Sequence, residues 1–222
     1  MRRDGSPLPY DAPTMHIDEA AIALVEAGRR LGSRGLVSAG EGNLSVRLDP
    51  ERLLITPTGR RKDELGPDDL VVIRTGHPAT DGSARSRSGL GPSSDLRIHL
   101  AVHEARPEIR VVAHAHLPAA MALTLAGEIP DPAALPETAL HLPRLPCLPF
   151  GEMGSQELAE RVAAALEGGP EGPAESVVLE RHGAVAVGID AVTAVNRLEL
   201  IEVLCRATRD ALLIRAARRS VG

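Results

Sequence analysis

Two histidines lie two residues apart at the end of an apolar run, Val111-Val112-Ala113-His114-Ala115-His116. On a strand, side chains at that spacing point to one face, so both imidazoles reach a single cation. A catalytic zinc takes three protein ligands and keeps a position open for water or substrate. The third ligand must then come from elsewhere in the chain. His182 is the best placed: it follows the apolar Val177-Val178-Leu179 and precedes Gly183, which lets backbone or substrate approach. His141, in a proline-rich stretch, is its one serious rival. An isolated His-x-His is more often a pair of polar rings packed on a strand. Here each site follows an apolar, strand-like run, and the metal reading gains. Of the remaining histidines, His16 and His77 read as surface residues, while His99 and His103 ride one helix.

A carboxylate and several short donors join the same question. Asp95 opens a helix at Pro92-Ser93-Ser94-Asp95. Asp is favoured at helix N-termini for dipole and capping reasons alone. Beside a cation it becomes either a base for a proton α to a carbonyl or a metal ligand. His99, one turn later, is its candidate supporting partner. Gly42-Asn43, Thr58-Gly59 and Ser93-Ser94 each combine small or hydroxyl side chains with accessible backbone N–H groups. Singly they are turns and caps. Converging, they would hold a phosphate by neutral donors without a lysine clamp.

The elements that must position these residues follow from periodicity. Ile17, Ala20, Leu24, Ala27 and Leu31 recur at helical spacing, with Thr14 as N-cap and Gly32 or Gly35 as the stop. Leu44, Val46 and Leu48 alternate with polar residues as in a half-buried strand, and further strands are expected around 53–55 and 70–73. Residues 74–92 read as exposed loop, 94–106 as helix, 109–116 as strand and 118–127 as a short helix. Residues 128–150 contain six prolines, too many for a central strand or helix. An amphipathic helix over 156–166, strands over 176–179 and 184–187, and a long helix from 191 to about 217 complete the pattern. No repeat or linker interrupts it. The expectation is a loose tail over 1–13 and one α/β domain over 14–222, with an antiparallel or mixed sheet.

Composition narrows the function classes. The 222 residues are 43% hydrophobic and 25% charged, enough for a packed core. A net charge of −5 with no basic cluster argues against nucleic-acid or anionic-membrane surfaces. Tyr10 and Phe150 are the only aromatics, which excludes a base-stacking platform. Two cysteines, Cys147 and Cys205, cannot build a disulfide framework. No apolar run reaches membrane-span length and the start lacks a signal-peptide core, so a cytoplasmic protein is expected.

Taken together, these segments resemble the class II aldolase/adducin family, nearest its fuculose-phosphate aldolase-like branch. The resemblance rests on Ala39-Gly40-Glu41-Gly42-Asn43-Leu44-Ser45-Val46-Arg47, Leu54-Ile55-Thr56-Pro57-Thr58-Gly59, Pro92-Ser93-Ser94-Asp95, Val111 to His116 and Arg181-His182-Gly183, in family order. It implies a three-layer α/β/α sandwich around a largely antiparallel sheet, usually a homotetramer with sites at subunit interfaces. It implies His114, His116 and His182 as ligands of Zn2+ or another divalent metal, and Gly42, Asn43, Thr58, Gly59, Ser93 and Ser94 as the substrate phosphate cradle. The implied activity is that of an aldolase, cleaving a ketose 1-phosphate to dihydroxyacetone phosphate and an aldehyde through a metal-stabilised enediolate, with Asp95 as acid/base.

The chain also departs from the pattern. The aldolases carry Glu where Asp95 stands; Asp matches the L-ribulose-5-phosphate 4-epimerase branch, where it is similar to a fourth metal ligand. No tyrosine follows Tyr10, so the usual tyrosine proton donor is missing or replaced. No second Asp near His141 matches the epimerases, and Glu41 is an extra residue in the glycine loop. An epimerase, a family decarboxylase and a non-enzymatic adducin-like module are the alternatives.

Overall fold

A computed structural model describes residues 14–76, 84–170 and 172–220. The expected tail over 1–13 and His77 lie outside them. In chain order the elements are α1 (Ile17–Ser33), β1 (Asn43–Asp49), β2 (Arg52–Ile55), β3 (Val71–Arg74), α2 (Leu96–Ala105), β4 (Val111–Ala115), α3 (Pro118–Leu125), α4 (Pro136–His141), β5 (Cys147–Leu148), α5 (Gln156–Glu167), β6 (Ser176–Leu179), β7 (Gly183–Gly188) and α6 (Ala191–Arg219).

The strands form one sheet in the order β3-β2-β1-β4-β7-β6-β5, antiparallel at every pairing except β5 with β6. Both faces are covered, and strand parity decides what goes where. Leu44, Val46, Val111, Ala113, Ala115, Ala184 and Ala186 face α1, α3 and α6 in one core. Val112, Val177, Val185 and Val187 face α2 and α5 in a second. Leu53, Ile55, Val71 and Ile73 extend that second side beside Leu96. His114 shares the parity of Val112, so it points into the α2 side.

Local chemistry moves several expected boundaries. His16, not Thr14, caps α1, accepting from the Asp18 N–H at 3.4 Å. The helix expected from Ser94 begins at Leu96, because Asp95 sits outside helical geometry at φ −87°, ψ 15°. The proline-rich stretch is not wholly irregular. Pro136 occupies the first position of α4, where a missing N–H costs nothing, and Cys147–Leu148 adds a short edge strand. Among the described residues, no helix is long and apolar enough to cross a membrane.

Candidate active site

Sheet order carries three distant histidines to one end of the central strands. His114 lies between β1 and β7, opposite Asn43 on one side and Val185 on the other. His116 follows two residues on, past the end of β4. His182 sits in the turn joining β6 to β7, formed by a bond from its N–H to the Leu179 carbonyl at 3.1 Å. Gly183 makes that turn possible. Its φ is +139°, and a β-carbon there would run into the Ala115 carbonyl.

The three rings stand edge-on at centroid separations of 4.8 to 5.0 Å. One nitrogen from each lies within 4.8 Å of the others. His114 Nδ1 donates to the Ala184 carbonyl at 3.0 Å, which leaves the lone pair on Nε2. Among the described residues that Nε2 has no hydrogen-bond partner, and neither has either ring nitrogen of His182. Buried nitrogens left this way are costly unless something binds them. Burial pushes His114 down to about 3, with His182 adding to the effect. Burial likewise lowers His116 and His182. All three are therefore neutral at pH 7, the form that ligates a metal. The donor set fits a divalent cation. The rival His141 is exposed on α4 and outside this group.

Asp95 joins them from the start of α2. Its Oδ2 is 3.9 Å from His114 Nε2 and accepts from Asn43 Nδ2 at 2.8 Å; its Oδ1 is buried without a partner among the described residues. Burial opposes ionisation of this carboxyl, but His114, the Asn43 amide, His182 and His99 outweigh it and hold it below the usual range. The His99 backbone N–H donates to the Asp95 carbonyl at 3.4 Å, but its ring reaches the carboxylate only through Asn43, whose Oδ1 is 2.6 Å from His99 Nε2. Both ends of the Asn43 amide are thus spent on the protein.

The three small-residue loops come together beside the histidines. The Ser93 N–H donates to the Thr56 carbonyl at 3.2 Å and the Thr58 N–H to the Gly91 carbonyl at 3.2 Å. Gly40 packs on the backbone of Gly59. Thr58, Gly59 and Ser94 are exposed, whereas Ser93 is buried with its Oγ accepting from the Asp95 N–H at 3.2 Å. Glu41 folds the glycine loop, accepting at 2.6 to 2.7 Å from the Ser38 hydroxyl and the Ser38 and Ala39 N–H groups. Burial opposes its charge, but these donors bring its pKa to about 2.

One residue of the site escapes sequence reasoning. Lys62 is 1% exposed, and its Nζ donates to the Gly40 carbonyl at 2.8 Å and the Arg60 carbonyl at 2.6 Å, tying two of the loops together. Burial lowers it to about 8, against the pull of Glu41 and Asp95. Set in Arg60-Arg61-Lys62-Asp63-Glu64, it looks like part of a solvated charge run. Its signal is rarity: it is the only lysine among 25 basic residues.

The model of the Class II Aldolase and Adducin N-terminal domain family matches residues 22–208. The chain belongs to this family. Its members include relatives of different activity. A 3-oxo-tetronate 4-phosphate decarboxylase from Haemophilus influenzae is 32% identical over 81% of this chain and 81% of its own length. A methylthioribulose-1-phosphate dehydratase from Acidiphilium cryptum is 34% identical over 83% of this chain and 87% of its own. The crystal structure of L-fuculose-1-phosphate aldolase from Thermus thermophilus superimposes with a TM-score of 0.74 at 26% identity, covering 90% of this chain and 97% of that one. The class II aldolase fold is thus shared along nearly the whole described chain.

Proposed function

We propose that the chain is a divalent-metal-dependent class II aldolase acting on a ketose 1-phosphate, releasing dihydroxyacetone phosphate and an aldehyde. One observation carries the reading: three neutral imidazoles converge, those of His114 and His182 with buried nitrogens that have no partner among the described residues, and a carboxylate with one unpartnered oxygen stands beside them. His114, His116 and His182 would hold Zn2+ or a similar ion. Such an ion supplies Lewis acidity, stabilising negative charge that develops on a carbonyl oxygen when a neighbouring C–C bond breaks. Asp95, through Oδ1, moves the proton at the carbon that becomes nucleophilic, a contribution of roughly 10²–10⁴-fold.

The backbone N–H groups of Gly42 and Gly59, with the hydroxyls of Thr58, Ser93 and Ser94, form the phosphate cradle, while Asn43, paired with His114 in the sheet and engaged at both amide ends, supports it. Lys62 braces it from behind. No tyrosine follows Tyr10, so the hydroxyl proton released as the C–C bond breaks and the aldehyde forms passes to another group. A homotetramer in the cytoplasm is the setting that the family implies, and the exposed Val192, Val203, Leu213 and Ile214 of α6 suit such assembly.

The test is metal analysis of the purified protein with a screen of ketose 1-phosphates for dihydroxyacetone phosphate release. Bound metal with release from at least one sugar is expected; no release from any sugar sinks the reading. The Haemophilus influenzae relative favours decarboxylation as a second reading. It predicts carbon dioxide release from a 3-oxo acid phosphate instead, and wants an arginine at the departing carboxylate. Arg181, next to His182, instead lays its guanidinium 4.5 Å over the Phe150 ring.

A further inference from the structure

Strand β1 and helix α2 face each other with polar rows in step. Asn43, Ser45 and Arg47 recur every second residue on the strand; Asp95, His99 and His103 recur every fourth on the helix. Two strand residues advance about 6.6 Å and four helix residues about 6.0 Å, so the rows stay opposite each other along their length. The result is a buried ladder. Asn43 is 3% exposed, Ser45 and His99 0% and His103 2%.

Its rungs are short. Asn43 Nδ2 is 2.8 Å from Asp95 Oδ2, and His99 Nε2 is 2.6 Å from Asn43 Oδ1. Ser45 Oγ is 2.7 Å from His99 Nδ1 and 2.9 Å from His103 Nε2. The carboxylate at one end decides every direction, because it can only accept. Asn43 must then present Oδ1 to His99, so His99 carries its proton on Nε2. Burial holds His99 near 4 and His103 far below its usual value, so both rings are neutral. His99 Nδ1 is therefore a lone pair, the Ser45 hydroxyl donates to it, and the Ser45 oxygen accepts from His103 Nε2–H. His103 ends the ladder with a lone pair on Nδ1. Among the described residues, the ladder's unpartnered atoms lie at its two ends, Asp95 Oδ1 at one and His103 Nδ1 with Arg47 Nε at the other. His103 and Arg47 there line a cavity of about 550 Å³.

We propose that His99, Ser45 and His103 are positioning residues: acting through the Asn43 amide, this one-directional ladder pins Asp95 Oδ2 and leaves Oδ1 as the oxygen that exchanges protons with substrate. The proposal rests on the reading of Asp95 as the base. None of the three positioning residues touches substrate. The arrangement forbids a flipped Asn43, which would set its carbonyl against the carboxylate.

Nitrogen-15 NMR of the full-length, metal-free protein tests the polarity directly. His99 and His103 are expected as Nε2–H tautomers, with a slowly exchanging Asn43 Nδ2 proton shifted downfield by the carboxylate. An Nδ1–H tautomer at either ring overturns the proposal. Ser45→Ala removes the central rung. It should admit a second His99 tautomer, speed exchange of the Asn43 amide and lower kcat about ten-fold, with KM and metal content unchanged. A Ser45→Ala protein that loses only thermal stability, with tautomer, amide and kcat unmoved, shows mere packing and also overturns it. Should the wild type cleave no ketose phosphate, the aldolase reading fails separately, and the tautomer and amide measurements still decide the ladder.

Discussion

His114 and Asp95 face each other across the candidate metal centre, with Nε2 and Oδ2 3.9 Å apart and no hydrogen bond between them. Adjacent sheet strands hold His114, while the start of α2 holds Asp95. A single ion reached by the histidines would therefore lie within reach of the carboxylate. Whether Asp95 works as base or as fourth ligand is thus a question of metal retention. Asp95→Asn keeps an acceptor for Asn43 and removes the base. It should retain the metal and lose about 10²–10⁴-fold in kcat. Loss of metal in that variant would instead assign the ligand role.

Metal content also separates the three histidines from the others. His114→Ala or His182→Ala removes one bond of a three-ligand set. Because changing even an outer partner of a ligand costs about 10–100-fold in affinity, each should lose the metal by more than that. His141→Ala, altering an exposed ring on α4, should leave metal content unchanged. Elemental analysis after dialysis checks both, and a fully loaded His114→Ala protein refutes the assignment.

These outcomes reflect what was readable from the chain. The alternation of Leu44, Val46 and Leu48 with Asn43, Ser45 and Arg47 announces a strand with one polar face. His114 and His116 sharing a face follows from strand geometry alone. The residues favour His182 over His141, but they do not show how His182 comes to lie beside His114. That depends on β7 pairing with β4 and on Gly183 allowing the close approach, which are facts of sheet order. The meeting of the Gly42, Thr58 and Ser93 loops is hidden for the same reason. The Asn43 side chain illustrates a different limit: its type suits a phosphate contact, but its neighbours engage both amide ends. Lys62 is hidden by composition, since charge runs are normally solvated and this lysine is not.

Lys62 makes its own prediction. Its ammonium joins the Gly40 and Arg60 carbonyls, and Gly28 of α1 packs against its backbone. Lys62→Met leaves those carbonyls without their shared donor, a loss of about 1–3 kcal/mol. The melting temperature should fall and KM for a phosphorylated substrate should rise about ten-fold, in line with the loss of one such contact. Lys62→Arg keeps the charge but brings a wider, planar group into a site with no spare room, so it should not rescue. An unchanged KM in both variants would detach Lys62 from the phosphate loops.

The buried histidines also set how the metal-free protein responds to acid. His99 is held near 4 and His114 near 3, chiefly by burial, whereas an unfolded chain titrates its histidines near 6.5. Between those values the unfolded state binds protons that the native state refuses. Stability is therefore fully present above about pH 6.5 and is lost as pH falls toward 4, by about 1.4 kcal/mol per pH unit for each such histidine. Asp95, held below its usual range, acts in the same direction at lower pH. Urea midpoints measured with chelator at pH 7, 6 and 5 should fall steadily. Excess Zn2+ should blunt the decline at pH 6 by binding the native state alone. Midpoints that stay level from pH 7 to 5 would mean that these imidazoles accept protons inside the folded protein, and the neutral cluster required for metal binding and for the Asn43–His99 ladder would be lost with them.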